Sequence, residues 1–503
     1  MTNVLYDALF TPHRLSKKAF LILKDGTELS YQQLIDLASR YASLLDSMQA
    51  KPGDRVAVQI EKSAEAMALY AGCLQKGCVF LPLNTAYTPA EVEYFVKDAR
   101  PAVLVCDQNA EASLQPIAQI HGCKLATLNA DGSGTFSQQA STLPPMSGIE
   151  PREAEDLAAI LYTSGTTGRS KGAMLTHSNL LSNAQTLVDY WQFKQSDVLL
   201  HSLPIYHTHG LFVATNTVLL CGASCLFLPS FNTDDVIQLL PEATTMMGVP
   251  TFYTRLLADN RLNRDLVRHM RLFTSGSAPL LAETHEAFEQ TTGHRILERY
   301  GMTETNMNTS NPYNGERRAG TVGFALPEVD IRIVDPQSEV ELGTDEIGVL
   351  EVRGENVFAG YWQMPDKTAE EFRPDNFFIT GDLAKKDADG YIHIVGRNKD
   401  LIISGGFNVY PKEIEAVLDE QAGVLESAVV GAPHADFGEG VVAVLVAKPD
   451  QNIDIDLIKS TIATTLAKFK QPKHYQTVNE LPRNTMGKVQ KNILRDKVNG
   501  IFK

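Results

Sequence analysis

Hydrophobic and polar positions along this chain follow two periods that take turns. Short apolar runs, AFLIL at 19–23, RVAVQI at 55–60, VFLPL at 79–83, AVLVC at 102–106 and AAILY at 158–162, have the length and texture of buried strands. Between them, Tyr31–Leu45 and Ala64–Leu74 repeat apolar residues at helical spacing. This alternation predicts an α/β fold, a large N-terminal domain of layered sheets and helices with a mainly parallel sheet. After Gly320 the texture changes: VDIRIVD and IGVLEVRG, separated by short turns, predict an antiparallel subdomain. A third texture begins near Asp400. LIISGGFNVYPKEIEAVLDE reads as strand, glycine turn and helix, with Pro411 at the helix start, and SAVVGAPHADFGEGVVAVLVAK reads as paired strands. With the boundary at Arg397–Asp400, the expected domains are 1–397 and a small α+β domain, 398–503.

Composition narrows the function classes. A chain of 503 residues exceeds one ordinary core, so two or more domains are expected. Its formal charge of −15 speaks against a nucleic-acid partner, which calls for a basic footprint. The six cysteines form no C-x-x-C pair and most sit in apolar surroundings, which predicts reduced core thiols and a cytoplasmic protein. The first residues lack a basic segment followed by a long apolar run, and no apolar stretch is long enough to span a bilayer, so no membrane partner is expected.

The densest chemical signal is YTSGTTGRSKGAM, Tyr162 to Met174, following the apolar run Leu157–Leu161. Its three glycines let backbone N–H groups approach phosphate oxygens, hydroxyls add donors, and Arg169 and Lys171 neutralise charge. Gly172 follows Lys171 and Ala173-Met174-Leu175 reads as a second strand, so this is no Walker A loop. The expected geometry is a hairpin over a triphosphate.

Further candidates lie downstream. In Tyr300-Gly301-Met302-Thr303-Glu304, after the strand-like ILER, Glu304 offers a carboxylate to Mg²⁺ or is simply solvated. Asp382, in a predicted turn Thr380-Gly381-Asp382, can accept from two ribose hydroxyls or cap the turn; Arg397 ends the next strand. Lys488, in PRNTMGK, can place a point charge on a developing anion or belong to a basic tail. The histidines His201, His207 and His209 have no carboxylate or cysteine clustered with them, which argues against a structural metal.

Taken in order, YTSGTTGRSKG, YGMTE, TGD, GRNKDLIISGGFNVYPKEIE and PRNTMGKVQK resemble the acyl-adenylate-forming (ANL) superfamily over essentially the whole chain. That family includes acyl-CoA synthetases, peptide-synthetase adenylation domains and beetle luciferases. The resemblance implies two half-reactions: a carboxylate attacks the α-phosphate of ATP, giving acyl-AMP and pyrophosphate, and a thiol, usually of CoA, displaces AMP. It further implies that Lys488 bridges the attacking carboxylate and the α-phosphate, and that Thr163, Ser164, Thr166, Thr167 and Lys171 hold the outer phosphates. Glu304 would hold Mg²⁺, Asp382 and Arg397 the ribose. Tyr300 and Gly301, with Ser277 to Pro279, would line the adenine slot, and Ala278, Met302 and Thr303 complete the nucleotide set. The family's small C-terminal domain rotates between the steps, with the hinge falling here at Lys399. The rotation brings Gly405, Gly406 and Phe407 to the thiol; some relatives carry a lysine where this chain has Gly405.

The acid is read from polar residues where relatives for fatty or aromatic acids are apolar. Arg255 follows GVPTFYT on a helix that the resemblance places at the border of the acyl pocket, His207 lies in LPIYHTHG and Ser277 in SGSAP. A buried arginine needs a charged partner, and a second carboxylate on the substrate supplies it. Alternatively Arg255 pairs on the surface with Asp259, one turn on, His207 acts as a conformational gate, and Ser277 caps a turn. Thr305-Asn306-Met307-Asn308 is bulky and should shorten the pocket. The first reading gives a short diacid, malonate fitting best, with ATP, Mg²⁺ and CoA as co-substrates and cofactor. Methylmalonate, succinate or acetate, or loading of a carrier protein, are the alternatives.

Overall fold

The structure, a computed structural model, describes residues 3–163, 170–404, 407–484 and 487–502. The chain divides into two compact units, Met1–Asp330 with Arg353–Phe378, and Ile331–Val352 with Ile379–Lys503. The four-stranded sheet of the subdomain assigned by sequence to the large domain thus falls mainly in the second unit.

The first unit holds two sheets. In the six-stranded sheet the order is Lys124–Thr127, Val103–Cys106, Arg55–Gln59, Val79–Pro82, Leu157–Thr163, Lys171–Thr176. Its strands are parallel except the last two, a hairpin in which Thr163 faces Lys171 across the ladder. Each parallel strand carries an apolar run because helices cover the sheet, and Ala57, Leu81, Leu104 and Ile160 share one core with Val92, Phe95 and Leu114 of the helices. The predicted helices are present as Tyr31–Ser47, opened by a Ser30/Gln33 capping box, and Ala64–Gln75.

The nine-stranded sheet has a parallel centre running Leu297–Met302, Leu272–Ser275, Thr245–Gly248, Val198–His201, Ser224–Phe227, Ala19–Leu23. Asn306–Ser310 returns antiparallel beside Leu297–Met302. The pentapeptide YGMTE was expected after a strand; its first three residues instead continue the strand, and Thr303 to Thr305 turn it. Gly301 has no alternative there, because a Cβ would fall 1.7 Å from the Asn306 carbonyl oxygen.

In the second unit, Val329–Val334, Gly348–Gly354, Phe378–Lys386 and Ile392–Arg397 form the four-stranded sheet. The last two are antiparallel. TGD was read as a turn; it lies inside the strand Phe378–Lys386, with Gly381 at φ +69°. The long hairpin Val424–His434 and Gly438–Ala447 anchors a five-stranded sheet. Its side chains alternate faces. Val429, Val441, Ala443 and Leu445 pack on Ile414, Leu418, Ile458 and Ile462. Val430, Val442 and Val444 pack on Leu494 and Val498 of the helix Lys491–Val498. The helix Pro411–Asp419 begins on its proline as predicted.

All six cysteines are free thiols, five of them buried. Among the described residues no helix is long and apolar enough to cross a membrane.

Candidate active site

In the first unit Thr163 and Lys171, paired across the hairpin ladder, meet Glu304 and two residues that no sequence motif announced, Tyr361 and Glu371. Lys171 Nζ lies 3.0 Å from Glu371 Oε1 and 3.8 Å above the Tyr361 ring. The Tyr361 hydroxyl is 2.7 Å from Glu371 Oε2 and 3.1 Å from Glu304 Oε1, and its single proton can serve only one of them at a time. Burial, then the charges of Glu304 and Glu371, push the phenol upward, so it stays neutral. The Glu371 carboxyl, which burial alone would raise, is held below its ordinary value by Tyr361 and Lys171. Thr163 Oγ1 makes a long 3.5 Å contact to Glu304 Oε1. Ser164, Thr166 and Thr167 lie outside the described residues.

Glu304 is buried, and its neighbours are oxygen donors: a hydroxyl, a phenol and a second carboxylate one step away. Among the described residues no three histidine, cysteine or acidic side chains converge. One carboxylate with hydroxyls fits Mg²⁺, which retains waters and phosphate oxygens, better than a metal needing an all-protein cage.

Lys171 is thus engaged by Glu371, a partner that a nucleotide phosphate would replace. Glu371→Gln is expected to lower KM for ATP about fivefold, worth about 1 kcal/mol. A raised KM in steady-state assays would instead make Glu371 an organiser of the loop.

The acyl-side candidates sit around the end of the strand Leu272–Ser275. Ser277 occupies left-handed backbone at φ +68°, unfavourable for a serine and a mark of a constrained site. Its Oγ is 3.2 Å from His209 Nδ1. His207 Nδ1 accepts from the His209 backbone N–H at 3.2 Å. His209 opens a π-helical segment, His209–Asn216, a rare geometry that recurs at functional sites. His201 turns away to Lys62, at 2.9 Å, so the three histidines do not converge. Ala278 follows Ser277, half-buried like Tyr300, Gly301, Met302 and Thr303.

Arg255 differs from expectation. The helix Pro250–Leu257 buries Tyr253 and Leu256 in the core, which puts Arg255 on its polar face, exposed. It does not pair with Asp259: that carboxylate is taken by Arg261, at 2.6 Å. Arg255 is left with no ion-pair partner among the described residues.

In the second unit, Asp382 and Arg397 face each other across neighbouring strands, and Arg397 Nε donates to Asp382 Oδ1 at 2.6 Å. Arg397 Nη1 also donates to the Thr380 carbonyl at 3.3 Å. Lys488 sits in the loop closed by Arg483 and Val489, its N–H donating to Asn484 Oδ1 at 2.9 Å. The field of Arg397, joined by Lys399 and opposed by Asp382 and Asp400, holds the exposed Lys488 ammonium below its ordinary value, at about 8. The sequence-predicted ribose pair and the lysine therefore share one electrostatic cluster. Lys399 lies in the 3₁₀ turn Asn398–Asp400, its ammonium also lowered by burial, against Asp400. Phe407 is 55% exposed and stacks on Phe469 at 4.6 Å, a free apolar face. Gly405 and Gly406 lie outside the described residues.

Residues 11–362 match the family model of the AMP-binding enzyme, and residues 413–488 that of the AMP-binding enzyme C-terminal domain. The chain belongs to the AMP-binding enzyme family. This AMP-binding enzyme is 31% identical to the malonate–CoA ligase of Arabidopsis thaliana, over 97% of this chain and 88% of that one. It is 35% identical to the mitochondrial malonate–CoA ligase of Mus musculus, over 92% and 85%. The ATP-bound MatB of Rhodopseudomonas palustris has the same fold with a TM-score of 0.97, at 54% identity and with both chains covered at 100%.

Proposed function

We propose that this AMP-binding enzyme is an ATP-dependent malonyl-CoA synthetase. Malonate attacks the α-phosphate of ATP to give malonyl-AMP and pyrophosphate; CoA then displaces AMP to give malonyl-CoA. The first step brings two anions together, so catalysis is positioning and charge neutralisation. Lys488 supplies the ammonium for the α-phosphate and the attacking carboxylate. Thr163 and Lys171, with Ser164, Thr166 and Thr167, take the outer phosphates. Asp382 and Arg397 hold the ribose, and Tyr300, Gly301, Met302, Thr303 and Ala278 border the base. Glu304 would hold Mg²⁺, which supplies charge neutralisation at the phosphates when bound. Gly405, Gly406 and Phe407 receive the CoA arm, and a domain boundary after residue 397 with its pivot at Lys399 belongs to the same reading. The free buried thiols support a cytoplasmic location.

We assign the far carboxylate of the acid to Arg255, an exposed guanidinium with no ion-pair partner of its own among the described residues. Malonate–CoA ligases among the relatives point the same way. The test is ATP–pyrophosphate exchange across acetate, propionate, malonate, methylmalonate and succinate. Malonate should exceed every monoacid; acetate above malonate would remove the assignment.

The lowered Lys488 ammonium gives a pH signature. Below about pH 8 it is charged, and above that it loses its proton, so kcat/KM for adenylation in the free enzyme should fall as pH rises through 8. Lys488→Arg keeps its charge and should lose that alkaline limb. An unchanged limb in the arginine variant would assign it to another group.

A further inference from the structure

One helix of the first unit holds both stems of the glycine-rich hairpin. Pro89–Ala99 is opened by a Thr88/Glu91 capping box, and Val92, Phe95, Val96 and Ala99 seat it in the core of the six-stranded sheet. Tyr94 and Asp98 stand four residues apart on this helix and so share a face. The Tyr94 hydroxyl donates to the Ser170 carbonyl at 2.7 Å, on the stem that leads into Lys171. The Tyr162 hydroxyl, on the opposite stem, donates to Asp98 Oδ2 at 2.5 Å. Burial, then Asp98, push the Tyr162 phenol upward, so it keeps the proton that makes this bond. Phe95 packs on the Tyr162 ring with centroids 4.6 Å apart, and Tyr94 meets that ring edge-on at 6.3 Å. Trp362 ties the same parts together from a third segment. Its Nε1 donates to the Asp98 carbonyl at 3.2 Å, and its backbone N–H to the Gly172 carbonyl at 2.8 Å.

The two anchored residues, Tyr162 and Ser170, bracket Thr163, Ser164, Thr166 and Thr167, and Lys171 follows directly. A trans peptide is planar, so fixing the Ser170 carbonyl also fixes the direction of the Lys171 N–H. We propose that Tyr94 and Asp98 are positioning residues for the outer phosphates of ATP, each acting through the hairpin stem it holds. This rests on the reading of that loop as the triphosphate site. Stems set in advance spare the nucleotide the cost of ordering them. Only adenylation draws on this, because malonyl-AMP has already shed the outer phosphates.

The experiment compares the full-length wild type with Tyr94→Phe, Asp98→Ala and Asp98→Asn. Readouts are KM for ATP and for malonate in pyrophosphate release, malonyl-CoA formation from supplied malonyl-AMP, and melting temperature. Tyr94→Phe keeps the ring and loses one hydrogen bond, so KM for ATP should rise about fivefold. Asp98→Ala should raise it about tenfold or more, and Asp98→Asn, which keeps an acceptor for Tyr162, should recover most of that loss. KM for malonate and the rate from supplied malonyl-AMP should stay within about twofold of wild type. The melting temperature of Tyr94→Phe should stay within about 2 °C of wild type. A rise shared by ATP and malonate, equal loss in both half-reactions, or a Tyr94→Phe protein that melts well below wild type or fails to fold would make the helix a structural support alone and overturn the proposal. If wild type releases no pyrophosphate from ATP with malonate or another short acid, the reading of the loop fails instead. If it does and the variants keep the wild-type KM for ATP, only this inference fails.

Discussion

Lys488→Ala is expected to reduce malonyl-AMP formation by at least about 10²-fold, the scale set by removing one preorganised donor from a developing anion. The same variant should convert presynthesised malonyl-AMP and CoA to malonyl-CoA within a few-fold of wild type. The two half-reactions ask for different things: the first joins a carboxylate to a polyanion, the second expels AMP with a thiol. Lys488 is suited to the first. Its cluster is cation-rich, with Arg397 dominant, and holds the ammonium at about 8. A bound phosphate would complete that charge balance. Arg397 is already tied to Asp382, so Lys488 is the long, mobile cation that can follow the reacting atoms. Rapid-quench pyrophosphate release and thioester formation from supplied adenylate measure the two steps separately. Equal loss in both would contradict the assignment.

Arg255→Ala is expected to lower kcat/KM for malonate by about 10²-fold, or about 3 kcal/mol, the upper range for a hydrogen bond to a charged group. Propionate turnover should change little. The helix Pro250–Leu257 is fixed by Tyr253 and Leu256, and Arg255 contributes neither packing nor an ion pair within the described residues. Stability should therefore stay within about 0.5 kcal/mol of wild type. A loss below about threefold for malonate would make Arg255 an ordinary surface arginine.

Much of this arrangement was legible because the first half of the chain keeps local pattern and tertiary role in agreement. AFLIL, RVAVQI, VFLPL, AVLVC and AAILY all became strands, and the last four lie side by side in the six-stranded sheet, whose covering helices demand apolar runs. The hairpin around the glycine-rich loop followed from the apolar runs on either side of it. TGD and YGMTE were misplaced because glycine was taken to end a strand. In both places it sits within one, Gly381 at positive φ and Gly301 against a neighbouring carbonyl.

The charged residues were harder. Arg255 was expected to be buried; two neighbours on the same helix claim the core and turn it outward. Arg299, between an apolar strand start and YGMTE, was the guanidinium actually enclosed. The available signal was a charged pair, Glu298-Arg299, on an interior strand of a large sheet. Glu298 finds His285, at 3.0 Å, while Arg299 finds no such partner among the described residues. Glu371 and Tyr361 were invisible for a different reason: Glu371 reaches Lys171 across 200 residues of sequence, beyond any local pattern.

The central claim is that this chain activates a dicarboxylate. Its most direct test is AMP release by the purified enzyme with ATP, Mg²⁺ and CoA, malonate run beside propionate at matched concentrations. Malonate kcat/KM is expected at least tens-fold above propionate, with malonyl-CoA as product. Equal rates for the two acids would contradict it.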